Sequence, residues 1–543
     1  MMNDTAAASG EAAPGAATSG ATVPGARKSN SRSSLSALIV MACTAGSRLF
    51  GYVRQALFSY YFGASGAADS LNAVFNIPNN LRKLFAEGAF SSAFIPVLSS
   101  TIEEDPSGVR PRKLVSNLAA FLIMVLLPLV GLSIAFPRVF VTALLRFSDP
   151  GKVAVGAQGM QWMFNYILLV SLSALVMAVL NSHGVFAVPA LSPLLFTLAT
   201  VLSIVFLNGR LGILSMGIGV LIGGTLQLAV QVPALRKRGY SVRPDFRLAN
   251  PDFTRTVRLW LPYLASASIP TVTQFFAQLF ASGLEDGSVS AIVNSVMFLQ
   301  IPIGIFTASI NTVLFPRMSR QATRRDTEGL RGSVSYGIES LIVLLIPSSI
   351  LLCLFGREII AAALQRGHFT EASTLMASRA LTGYAVGLLF MGVYQFLQRL
   401  FYSLKSFTVP LASSAFVAVI DIVLSLILKE TPLRVSGLAY ANSVAFLAGT
   451  VMLGIMARRR LGGLGLRSIV TSIGKSLVGS IPMGVFIILF LAWKPDLWTR
   501  GGSLRGAAWI AAAALVSVLL TLAVYLILRV PFLADMIARR KKE

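Results

Sequence analysis

Runs of about twenty apolar residues recur from one end of this 543-residue chain to the other. A helix of roughly that length crosses the hydrocarbon core of a bilayer, and in lipid only helices or closed barrels satisfy every backbone polar group. Charged residues make up 13% of the chain, against about 25% in a soluble domain. Mean hydropathy is +0.74. The pattern predicts an all-α polytopic membrane protein of about 14 transmembrane helices. They fall at 34–60, 67–99, 113–136, 158–181, 185–207, 211–235, 256–283, 288–316, 333–355, 376–403, 407–428, 435–457, 469–492 and 507–530. The second and eighth hold internal prolines, which remove a helix hydrogen bond, so both are expected to kink or break.

The net charge of +24 is concentrated between these runs, in "RKRGYSVRPDFR" (236–247), "RMSRQATRR" (317–325) and "RRRLGGLGLR" (458–467). That distribution follows the positive-inside rule and argues against nucleic acid as partner. It puts both termini in the cytoplasm. Residues 1–33, rich in Ala, Gly, Ser and Thr, are expected to form a disordered tail. Two cysteines, Cys43 and Cys353, and two histidines, His183 and His368, support neither a disulfide framework nor a metal site.

Short matches repeat at one offset. "FIP" at 94 returns as "LFP" at 314, "FAVP" at 186 as "FTVP" at 407, and "GIGV" at 217 as "GLAY" at 437. The spacing of about 220 residues implies two parallel six-helix repeats. The domains are then an N-terminal lobe (34–238), a C-terminal lobe (239–460), and two additional C-terminal helices with a basic tail (461–543). Transporters of this plan bind cargo between the repeats and expose it to each side in turn. An enzyme is not indicated: there is no paired-carboxylate motif, metal-ligand spacing, nucleophile elbow or phosphate-binding glycine loop.

Charge inside the apolar runs is expensive and marks candidate function. In "SRLFGYVRQALFSYYFG", Ser47, Gly51 and Arg54 share one helical stripe, and Arg48 points about 100° from Ser47. Arg54 faces either an anion in a wet cavity or a lipid headgroup. In "FNIPNNLRKLFAEGAFSSAFIP", Lys83 and Glu87 are spaced as an intrahelical pair, which leaves Arg82 without a local partner. Asp69 opens the same run, where an acid suits a helix N-terminus. Guanidinium groups suit a phosphate or pyrophosphate. Asp421, Ser425 and Asn442 are a candidate oxygen set for Na⁺ or a proton, or a polar helix–helix contact.

From "SRLFGYVRQALFSYYFGA" through "AADSLNAVFNIPNNLRKLFAEGAFSSAFIPVL", the chain closely resembles the signature of the MurJ (MviN) family. These are the lipid II flippases of bacterial peptidoglycan synthesis, in the MOP exporter superfamily. The specific part covers roughly residues 47–97. The resemblance implies that Arg48, Arg54 and Arg82 bind the pyrophosphate-sugar head in a cationic cavity. Ser47, Gly51, Asp69, Lys83, Glu87 and Ser290 are supporting positions. It further implies that the last two helices form a groove for the polyprenyl tail, and that the protein is a transporter of the bacterial cytoplasmic (inner) membrane. No cofactor is implied; coupling to Na⁺, H⁺ or membrane potential stays open. Expected partners are lipid II, membrane lipids and proteins of cell-wall synthesis or division. Two positions depart from the family pattern: Gln55 stands where an acid is usual, and Met297 near a usual arginine. Alternatives are export of another polyprenyl-linked glycan or a drug, or a non-transporting scaffold of envelope assembly.

Overall fold

The computed structural model describes residues 42–43, 46–47, 49–85, 89–493 and 504–528. Every regular element among them is helical. The first half contains α1 (49–62), α2 (Gly66–Phe85), α3 (Ala89–Glu104), α4 (Val109–Ala135), α5 (Pro137–Leu144), α6 (Pro150–Met163), α7 (Tyr166–Ser182), α8 (Ala187–Leu211), α9 (Ser215–Ala229) and α10 (Val232–Lys237). The second contains α11 (Pro251–Ser282), α12 (Ser288–Pro302), α13 (Ala308–Thr323), α14 (Thr327–Leu364), α15 (Glu371–Val386), α16 (Leu388–Ser403), α17 (Thr408–Leu428) and α18 (Val435–Leu461). Then come α19 (Leu466–Trp493) and α20 (Leu504–Ile527).

The repeat seen in short motifs extends to whole elements. Pro150, Ala187 and Ser215 open helices in the first half, and Glu371, Thr408 and Val435 open their counterparts 221, 221 and 220 residues later. Among the described residues, nine helical stretches are long and apolar enough to cross a membrane, or ten if α15 and α16 form one bent span. Fourteen is a larger count, and part of the difference is visible. The stretch Ala187–Lys237 counts once, yet it turns back on itself as α8 and α9. These two lie so close that a side chain at Gly219 would collide with Thr200 and Ser203. Small residues allow such approach where hydrophobic burial gives no drive between helices in lipid. The start of the expected first span (34–41) lies outside the described residues.

Breaks occur where polar groups repair them. α12 ends at Pro302, which has no N–H, and the chain continues through a π-helical turn, Ile303–Thr307, before α13. This is the kink expected of the eighth run. α2, by contrast, runs unbroken through Pro78. α15 and α16 meet at a 48° bend. Carbonyls freed there are taken by hydroxyls of neighbouring helices, Ser443 to Gly383 at 2.6 Å and Thr450 to Phe390 at 2.8 Å.

Two large apolar cores result. One gathers buried residues from Phe58 to Val289 together with Leu438, the other from Ala291 to Leu464. α11 begins the second half in sequence, yet its Phe253, Trp260 and Phe280 pack in the first core. α19 and α20 dock on α14 through a smaller core of Phe355, Met483, Ile487, Phe490, Ile510 and Ala513. Tyr525 ties them further, its hydroxyl donating to the Val343 carbonyl at 3.0 Å.

Most of the Arg and Lys in the turns lies at one end of the bundle, in the 104–113, 236–258, 317–331 and 458–467 segments. We call this the basic end. The opposite end holds the turns at Gly63 and Gly287.

Candidate functional site

α2 carries one polar face. Asp69, Asn72, Asn76, Asn79 and Asn80 recur at helical spacing and face α11 and α12. At the Gly63 end, the Asp69 carboxylate accepts the Gly287 N–H at 2.7 Å and the Ser290 N–H at 2.8 Å. It therefore caps α12, a helix 218 residues away, satisfying donors that a helix start leaves unpaired. The Asn72 amide donates to the Ser290 hydroxyl at 3.2 Å. Asp69 and Ser290, matched separately in the sequence, are thus in direct contact.

Further contacts close this end. The His368 N–H donates to the Tyr60 carbonyl at 2.9 Å. Gly63 has φ +64°, and any side chain there would strike the His368 carbonyl. Lys152, 8% exposed, pairs with Asp286 in the α11–α12 turn.

Nearer the middle of the bundle, α2, α11 and α12 face α15 to α18 across a cavity of about 410 Å³. Carboxamides dominate its polar lining: Asn76, Asn79 and Asn80 from α2, Gln274 and Gln278 from α11, Gln300 from α12, Gln395 from α16 and Asn442 from α18. Asp421 lines it too, and the Asn442 amide donates to its carboxylate at 3.1 Å. Ser425 is buried one turn further along α17. The three expected oxygen-bearing residues thus sit together on the Gly63 side of the cavity. Among the described residues no group of three His, Cys, Asp or Glu could hold a metal ion.

Of the described candidate arginines, Arg82 adjoins this space through Asn79. Arg82 is half-buried at the basic-end side of the α2 face, and its Nε donates to the Asn79 Oδ1 at 3.2 Å. Arg54 lies on α1 with its guanidinium 5.0 Å from the Phe75 ring centroid. Phe75 stacks on Tyr166 at 6.5 Å, and Tyr166 on Phe196 at 4.7 Å. Arg54 thus caps an aromatic stack of the first half, a cation–π contact, and does not line the 410 Å³ cavity. Ser47 and Gly51 lie on the same helical stripe, and a side chain at Gly51 would meet nothing within 4 Å. Arg48, Glu87 and the Lys83 side chain lie outside the described residues, as does the 1–33 segment.

Both departures from the family pattern fall at one helix contact. Gln55 is buried and its Nε2 donates to the Asn294 Oδ1 at 2.9 Å. One turn away, the Tyr52 hydroxyl donates to the Met297 carbonyl at 3.4 Å. The amide at position 55 therefore has a neutral partner on α12.

A family model described as lipid II flippase MurJ matches residues 58–508. The chain belongs to this family. A probable lipid II flippase MurJ of Borreliella burgdorferi is 32% identical over 497 residues, covering 91% of this chain and 96% of that one. Another, from Vibrio cholerae, is 32% identical over 406 residues, 72% of this chain and 77% of that one. A solved structure of lipid II flippase MurJ in an inward closed conformation superposes with a TM-score of 0.76 at 24% identity, over 92% of this chain and all of that one. A MATE family multidrug resistance transporter of the MOP superfamily in an inward-facing conformation gives 0.64 at 12% identity, over 77% and 95%. At these identities the two structures speak for the fold alone. Family and helices together make this a multi-pass membrane protein.

Apart from Asn442, the Asn and Gln lining the cavity were not singled out from the sequence, nor were the Gln55–Asn294 contact and the Lys152–Asp286 pair. Only the "IPNN" of α2 offered a signal, as amide side chains at membrane depth.

Proposed function

We infer that this protein is a transporter, not an enzyme, and that it carries lipid II from the cytoplasmic to the outer leaflet of the bacterial cytoplasmic membrane for cell-wall synthesis. One observation carries the reading beyond family membership: a polar cavity at membrane depth, between repeated halves, with arginine at its rim. A polar lining of that kind is costly in a bilayer unless water or a polar cargo meets it. Arg82 offers a planar fork of donors to the pyrophosphate, and Arg54 a second cation nearby. Arg48, from the same motif, completes the proposed set.

The basic end is taken as cytoplasmic, with both termini there. Residues 34–238 and 239–460 are the moving lobes in this reading. Contacts at the Gly63 end then close the outer side, and the head enters from the cytoplasm while the tail stays in lipid along α19 and α20. Rocking opens the Gly63 end by breaking the Asp69 and Lys152 contacts, and the head leaves. Asp421, Ser425 and Asn442 are the proposed seat of a coupling Na⁺ or proton, with membrane potential as a further drive on net charge movement.

Depletion with complementation tests the reading. Wild-type protein is expected to restore growth and lipid II translocation in cells lacking their own flippase. Arg54→Ala and Arg82→Ala variants at equal abundance are expected to fail, and full rescue by both would overturn the reading.

A further inference from the structure

Arg54 is a cation in an apolar run with no acid to balance it. Among the described residues it makes no hydrogen bond or ion pair, and Phe75 supplies its cation–π contact. The ring it meets is itself held in place. Phe75, Tyr166 and Phe196 come from α2, α7 and α8, are all buried, and stack in a row at interplanar angles of 27° and 24°. Two adjacent glycines of α9 make room for the row. A side chain at Gly224 would come within 2.8 Å of the Tyr166 ring, and one at Gly223 within 2.9 Å of the Phe196 ring. The row therefore runs from α9 across the first half to the guanidinium on α1.

We propose that this aromatic row positions the Arg54 guanidinium for the cargo, with Phe75 as the positioning residue. The proposal rests on the lipid II reading, in which Arg54 meets the pyrophosphate. A guanidinium over a ring uses its face, while its N–H donors lie in its plane and stay free for phosphate oxygens. A carboxylate or carbonyl anchor would occupy those same donors. An arginine side chain loses rotamer freedom when it binds a ligand, and one already held in place loses less. The row also fixes the depth of the cation. Phe75 and Arg82 stand two turns apart on α2, about 10 Å, with Phe75 nearer the Gly63 end. The two arginines are then kept at separate depths by different means, Arg82 by the Asn79 carbonyl and Arg54 by the Phe75 ring. Gly223 and Gly224 act through the row, two rings away from the cation.

The test is fluorination of Phe75, which drains the negative face of the ring and keeps its shape. The full chain in lipid nanodiscs is titrated with labelled lipid II as wild type, as Phe75→trifluorophenylalanine and as Phe196→trifluorophenylalanine. The Phe75 variant is expected to bind lipid II about fivefold more weakly, the effect of losing a cation–π contact at a desolvated site. The Phe196 variant alters the far end of the same row without touching the cation, and is expected to bind like wild type. A ring that only packs, or only steadies the fold, leaves the affinity unchanged. Equal affinity of the Phe75 variant and wild type therefore overturns the proposal. So does equal weakening by both variants, which would assign the effect to stacking, and so does tighter binding by the Phe75 variant, which would mean that the row withholds Arg54. Lipid II that does not bind the wild-type protein at all overturns the flippase reading, and the proposal with it.

Discussion

Asp69 and Ser290 lie 221 residues apart in sequence and are joined by a 2.8 Å hydrogen bond from the Ser290 N–H to the Asp69 carboxylate. The second carboxylate oxygen takes the Gly287 N–H, so one side chain of α2 holds the start of α12. Hydrogen bonds to a charged group are worth about 1.5–3 kcal/mol. Asp69→Asn keeps the shape but turns one acceptor into a donor facing a donor. The closed Gly63 end is expected to lose about 2 kcal/mol, roughly thirtyfold in population. Ser288 is fully buried beside it. A Ser288→Cys reporter should therefore react with a water-soluble maleimide at least tenfold faster in the Asp69→Asn background. Equal labelling would show that Asp69 does not hold this end shut.

The Gln55–Asn294 contact makes a different prediction. Both side chains are buried, so losing one leaves the other unpaired, at a cost of about 1–3 kcal/mol. Gln55→Leu or Asn294→Leu alone is expected to lower the thermal midpoint. The double leucine variant should recover most of the loss, because no polar group is then left without a partner. Strictly additive losses in the double-mutant cycle would mean that the pair is not coupled.

At the basic end, outside the membrane-spanning helices, the His183 Nε2 lies 3.0 Å from the Tyr240 hydroxyl. Burial, and then the nearby charge of Arg238, lower the His183 pKa from its ordinary value near 6.5. A histidine with a depressed folded pKa takes up its proton first in the unfolded chain. Stability is therefore full above about pH 6.5 and declines as pH falls below it. Melting curves between pH 5 and 8 should show this decline, and His183→Gln should flatten it. An unchanged slope in the variant would assign the decline to other groups.

What could be read from sequence follows from the range of each signal. Apolar run length and charged loops are local, so helices, the basic end and the 220-residue repeat were legible. Arg82 stood out because a cation with no acidic residue at helical spacing is rare in an apolar run. Breaks were less legible: Pro78 leaves α2 intact, while the α15–α16 bend has no proline at its joint and depends on Ser443 of α18. The cavity was not legible, because its carboxamides are spread over five helices and become a surface only once those helices pack. Arg54 is intermediate. Its stripe with Ser47 and Gly51 followed from helical spacing, but its contact with Phe75 depends on tertiary packing.

Lipid II movement by the purified protein is the most direct test of the flippase function. In proteoliposomes with labelled lipid II in one leaflet, wild-type protein should equalise the leaflets. Arg82→Ala, inserted in equal amount, should do so at least tenfold more slowly, since a lost charge-assisted hydrogen bond is worth about 1.5–3 kcal/mol. Transfer by Arg82→Ala at the wild-type rate would contradict the account.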